Sequence, residues 1–154
     1  METLTPQRTT IEKKIVIRAP RSRVWRALTT SDQFATWFSA KVAVPFAPGQ
    51  RVEMVSTHPN CTGDPHFYVI VERMEPEHTF SWRWRPGAAD KDDQGESTIV
   101  EFRLEEVAEG TLVTVTETGF DRISLAQRAK AFEENTRGWE IQLQSLQQYA
   151  TRAA

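Results

Sequence analysis

The sequence predicts an α+β fold, in which a curved antiparallel sheet of six to seven strands wraps around one long C-terminal helix. Two short helices follow the first strand. Three observations carry this expectation. Between residues 41 and 118, β-branched and aromatic runs alternate with turns bearing Gly, Pro, Asp and Asn. From Ser124 onward, Leu125, Ala129, Phe132, Thr136, Trp139, Leu143, Leu146 and Ala150 recur at steps of four and three, a single mostly apolar stripe. A sheet of this kind must bury one face, and that helix is the one large apolar partner available.

The elements follow in order. Residues 1–10 are polar and read as a loose N-terminal segment ahead of a single domain, 11–152. IEKKIVIR (11–18) carries Ile11, Ile15 and Ile17 and reads as a strand. In APRSRVWRALTTSDQFATWFSA (19–40) the period changes, with Val24, Trp25 and Leu28 at helical spacing and Pro20 near the helix start. Ser31 or Asp32 is placed to cap a second short helix carrying Phe34, Trp37 and Phe38. Strands are expected at 41–45, 50–57, 66–75, 79–85, 97–106 and 111–118. Their short connections make an antiparallel meander. The long connection 86–96 is acidic and glycine-bearing and reads as a mobile hairpin loop.

Composition narrows the function classes. A chain of 154 residues fits one domain. Its 19 basic and 21 acidic residues leave a formal charge of -2, no electrostatic footprint for nucleic acid. Cys61 is the sole cysteine, so no intrachain disulfide forms. The opening METLTPQRTTIEKK has no apolar signal region, and no run approaches the ~20 apolar residues of a membrane span. A cytoplasmic protein without membrane partners is expected. There is no P-loop, GxGxxG, GxSxG or HExxH, and no cofactor is expected.

APRSRVWRALTTSDQFATWF resembles the A-P-x-x-x-V-W-x-A-L-T-x-x-x-x-x-x-x-W-F opening of the SRPBCC superfamily, also called START-like or birch-pollen-allergen-like. FAPGQRVE, FSWRWRP, GTLVTVTETGFDRI and NTRGWEIQLQSLQQYA agree, and together resemble the branch named after the activator of heat-shock-protein-90 ATPase. The resemblance runs over roughly residues 11–150. It implies a helix-grip fold with a cavity between sheet and long helix. Relatives put different things there: some bind lipids, hormones or polyketides, and some catalyse cyclisation or aromatisation.

Several residues are candidates for a site. In FSWRWRP, strand alternation sends Phe80, Trp82 and Trp84 to one face and Thr79, Ser81, Arg83 and Arg85 to the other. The aromatic row is either packed core or the wall of a ligand cavity, and the arginines are surface charge. In LVTVTETGF, Val113, Val115 and Glu117 share a row, and the resemblance places that row on the helix-facing side. An inward Glu117 is costly unless bonded, paired or wet. It suits a general base or a ligand contact, or else it reaches water or an arginine such as Arg122 or Arg137.

On the long helix, the Thr136 hydroxyl either faces a cavity or bonds back to the carbonyl one turn earlier. Gly138 costs about 1 kcal/mol against alanine, which fits close approach of a strand or a bound molecule to the helix backbone, the strand being the leading expectation. HPNCTGDPH gathers His58, Cys61, Asp64 and His66, but the spacing fits no common closed zinc site. It reads as a polar hairpin tip, with no metal expected.

The leading expectation is a protein that binds a small apolar, aromatic or lipid-like ligand. Phe80, Trp82, Trp84, Phe102, Val113 and Val115 would line its cavity, with Trp37 at one end and Trp139 on the helix side. Glu117 and Thr136 would orient a polar group of the ligand. Two alternatives stand beside it. One is a co-chaperone-like module stimulating a chaperone ATPase, with a chaperone as partner; a homodimer is a separate possibility under any of these readings. The other is a cavity-based cyclase or aromatase using Glu117 as base.

Overall fold

The computed structural model describes residues 9–59, 64–84 and 97–152. Strand β1 (Thr10–Ile17) leads into helices α1 (Arg21–Thr29) and α2 (Ser31–Phe38). Six strands follow: β2 (Ala40–Val42), β3 (Arg51–Ser56), β4 (His66–Glu75), β5 (Thr79–Trp84), β6 (Thr98–Val107) and β7 (Gly110–Thr118). A 3₁₀ turn (Phe120–Arg122) then delivers the chain to α3 (Leu125–Arg152). The expected loop 86–96, residues 1–8 of the expected loose segment, Cys61 and Arg85 lie outside the described residues.

The strands form one curved antiparallel sheet in the order β1-β7-β6-β5-β4-β3-β2. The meander from β2 to β7 is as expected, and the α1–α2 crossover carries the chain from one edge of the sheet to the other. This is the α+β helix-grip arrangement. Register aligns the inward rows: Ile11, Glu117, Val100, Trp82 and Val71 stand side by side across five strands. Phe80, Phe102 and Val115 form the next row. Gly110 is forced by a close approach. Its φ is +144°, and a Cβ there would lie 2.2 Å from the Ile17 carbonyl oxygen at the end of β1.

Side chains of α3 tie it to the sheet and to α2. Ser145 Oγ donates to the Trp37 carbonyl (2.6 Å) and Gln142 Nε2 to the Phe38 carbonyl (3.0 Å), satisfying acceptors that the end of α2 leaves without helical partners. Arg23 Nε donates to the Ala150 carbonyl (2.8 Å), and Lys13 pairs with Glu140 (2.7 Å).

Two local expectations are corrected. Neither Ser31 nor Asp32 caps α2. Thr30 takes the cap position without a side-chain bond, and the Ser31 hydroxyl donates instead to the Val44 carbonyl (3.0 Å). The helix stripe also drifts. Trp139, Leu143, Leu146 and Ala150 are buried, but near the start of α3 Ala131 is buried while Ala129 is exposed. There the helix packs on the 3₁₀ turn rather than the sheet, through Phe132 against Phe120 (5.2 Å between centroids). Arg128 donates to the carbonyls of Asp121 and Ile123. The side chain of Leu125 lies outside the described residues.

Candidate functional site

Glu117 is fully buried. It is placed there by strand alternation, which continues the Val113–Val115 row to the end of β7. Its carboxylate accepts five hydrogen bonds from four neutral side chains. Trp84 Nε1 (2.9 Å) and the Thr98 hydroxyl (2.5 Å) donate to Oε2. Trp139 Nε1 donates to Oε1 (2.8 Å), and Asn135 Nδ2 lies 3.0 Å from both oxygens. A carboxylate offers about four lone-pair sites, so both oxygens are fully engaged. Glu117 therefore neither reaches water nor meets Arg122 or Arg137; Arg137 instead pairs with Glu133 at 3.9 Å. The acid ties β7 to β5, β6 and α3 at one end of the sheet.

Beside this cluster is an open-sided pocket of about 140 Å³, lined by Phe38, Trp84, Glu134, Asn135, Gly138, Trp139 and Gln142. Three of these residues are Glu117 donors, so the buried acid fixes the pocket wall from behind. The rings of Phe38, Trp84 and Trp139 converge, with centroids 5.9–6.5 Å apart. Gly138 lies among them on α3. A Cβ built on Gly138 meets no atom of the described residues within 4 Å, so the expectation of a close-packed strand is corrected: among the described residues the space over this glycine is open.

The remaining candidates divide by depth. Phe80, Trp82, Phe102, Val113 and Val115 are wholly buried. Trp82 touches the rings of Phe34, Phe38, Phe80, Trp84, Phe102 and Trp139 at centroid separations of 5.4–6.4 Å. This is dense aromatic packing behind the pocket. Its indole N–H is sealed in the core without a partner among the described residues. Trp37 is buried on α2 and donates to the Ala27 carbonyl (2.7 Å). Thr136 Oγ1 bonds back to the Phe132 carbonyl (2.7 Å), the local alternative for its hydroxyl.

Sequence reasoning joined Trp84, Glu117 and Trp139 but missed Thr98, Asn135, Phe38, Glu134 and Gln142. Asn135 was findable, because it precedes Trp139 by four residues and shares its helix face. Thr98 pairs directly with Trp84 across β5 and β6, a register visible only once the strands are paired. On the convex face Arg83 pairs with Glu72 (2.9 Å), as surface charge. At the other hairpin, His66 Nδ1 lies 2.7 Å from Asp64 Oδ1, and no cluster of three metal-binding side chains occurs among the described residues. No described helix is long and apolar enough to cross a membrane.

Comparison with known proteins agrees with this architecture. The solved structure of protein MLL2253 from Mesorhizobium loti has a TM-score of 0.74 at 23% identity, covering 94% of this chain and 98% of its own. Protein NE0264 from Nitrosomonas europaea gives 0.74 at 18% identity, covering 95% and 96%. The Aha1 dimer from Colwellia psychrerythraea gives 0.70 at 20% identity, covering 90% and 93%. At these identities the likeness shows the fold alone. No curated protein matches. The family model described as activator of Hsp90 ATPase homolog 1-like protein matches residues 18–151, nearly the whole length of the domain, so this chain belongs to that family within the SRPBCC superfamily.

Proposed function

We propose that the protein binds a small apolar or aromatic ligand, and that the ligand is held at the Phe38–Trp84–Trp139 pocket rather than in a large interior cavity. One observation carries the reading: space left open by the described residues over a mid-helix glycine, beside two indoles whose orientation a buried carboxylate fixes. A pocket of about 140 Å³ is close to the roughly 150 Å³ apolar cavity that accepts benzene. It suits one ring or one branched alkyl end. Phe80, Trp82, Phe102, Val113 and Val115 then act as rigid backing that holds the walls in place. Trp37 fixes α2, and Thr136 serves the helix backbone. A general-base role for Glu117 is disfavoured, because both its oxygens are occupied by protein donors.

Titration of indole fluorescence with a panel of substituted benzenes tests this. Binding should perturb Trp84 and Trp139 in the wild type and vanish in Gly138→Leu, whose side chain fills the pocket. Circular dichroism should show that variant folded. No response in the wild type, or an equal response in the variant, overturns the proposal.

The family's name supports a second reading, stimulation of a chaperone ATPase by a monomer or a homodimer. A chaperone ATPase rate unchanged by saturating protein would exclude it.

A further inference from the structure

The pocket's polarity is one-sided. Trp84 N–H, Trp139 N–H and the Asn135 amide N–H are all directed to Glu117. The Gln142 amide N–H donates to the Phe38 carbonyl (3.0 Å). Both amide orientations follow from chemistry, since a carboxylate and a carbonyl can only accept. Asn135 Oδ1 and Gln142 Oε1 are left without a protein donor among the described residues. The charged group among the described lining residues is Glu134, exposed on α3 and without an ion-pair partner there. Both indole donors among the described lining residues are thus occupied, each amide keeps one further N–H, and beside them stand three aromatic rings, two amide oxygens and a carboxylate.

An anion would find both indole N–H groups already engaged and would face Glu134, with Glu117 behind the indoles. A cation meets the opposite: aromatic rings attract positive charge, more strongly where partly desolvated, and amide oxygens and carboxylates accept its N–H bonds. Drawing both indole N–H bonds onto an anion also adds electron density to the rings.

Resting on the ligand-binding reading above, we infer that the pocket selects a protonated amine carried on an apolar body, such as an arylalkyl- or alkylammonium group, over neutral and anionic compounds of the same shape.

Three probes with one ring and different charge test this: 2-phenylethylammonium, 2-phenylethanol and 3-phenylpropanoate, titrated against the wild type, Gly138→Leu and Glu134→Gln at pH 7 and low salt. The expected order is ammonium, alcohol, carboxylate, with the ammonium at least about tenfold tighter than the alcohol. Glu134→Gln should weaken the ammonium severalfold and leave the alcohol unchanged, and added salt should weaken the ammonium alone. If the alcohol or the carboxylate binds as tightly as the ammonium, and Gly138→Leu blocks it, the cation preference is wrong while the pocket remains a ligand site. If none of the three binds, the cation inference fails. The broader substituted-benzene panel then decides separately whether the pocket is a site at all.

Discussion

Replacing Gly138 with alanine should stabilise the protein, which is unusual for a change at a candidate site. Gly138 lies well inside α3, where glycine costs about 1 kcal/mol relative to alanine. Part of that cost is the extra freedom of glycine in the unfolded chain, worth about 0.4–1 kcal/mol. An added Cβ meets nothing within 4 Å among the described residues, and none of these sets a steric penalty against the gain. The expected change is about +1 kcal/mol, or about 2–4 °C in Tm for a chain of this size. Differential scanning calorimetry and urea titration monitored at the helix band would measure it. A lower Tm for Gly138→Ala would mean that the helix backbone is closely approached after all, and the pocket described above would lose its floor. A gain confirms that the glycine serves no packing purpose, which leaves the open space as its reason.

The other predictions concern the buried acid and its donors. Glu117→Ala leaves the buried donors of Thr98 and Trp139 unpaired, at about 1–3 kcal/mol each, and chemical denaturation should show a loss of that combined size. Glu117→Gln should cost less, because its oxygen can keep Trp139 while the Thr98 hydroxyl turns to accept; equal losses would refute the assigned bonds. Trp139→Phe removes a charge-assisted hydrogen bond worth about 1.5–3 kcal/mol, whereas Trp82→Phe removes a buried N–H that has no partner among the described residues. Trp139→Phe should therefore be the more destabilising of the two in urea melts, and the reverse order would contradict the geometry.

The fold was legible because period and punctuation agree along the chain. Alternation in FSWRWRP and LVTVTETGF put the right residues on the inner face. The errors arose where a residue type is indifferent to its surroundings. Alanine is tolerated equally buried or exposed, so the stripe could not tell Ala129 from Ala131. Ser31 had two acceptable uses for its hydroxyl, and the Val44 carbonyl was brought to it only by the folded loop. Gly138 failed for the opposite reason. A helix-interior glycine signals either a close neighbour or an empty space, and sequence carries no information about which.

Glu117 shows why the site was half legible. Its inward direction follows from a period of two, and a buried carboxylate must be satisfied. Sequence could therefore require donors but not name them, and arginine was the natural guess because a charge suggests a countercharge. The structure uses neutral donors, and that choice has a consequence an arginine would not have. An arginine would neutralise the acid and bring spare N–H groups into the neighbourhood. Two indoles, an amide and a hydroxyl satisfy it by turning donors inward, which leaves the indole rings beside the pocket with their N–H groups already engaged. The polarity of the pocket is thus set by how the cost of burying one acid is met, and a single substitution at Glu117 should alter stability and ligand preference together.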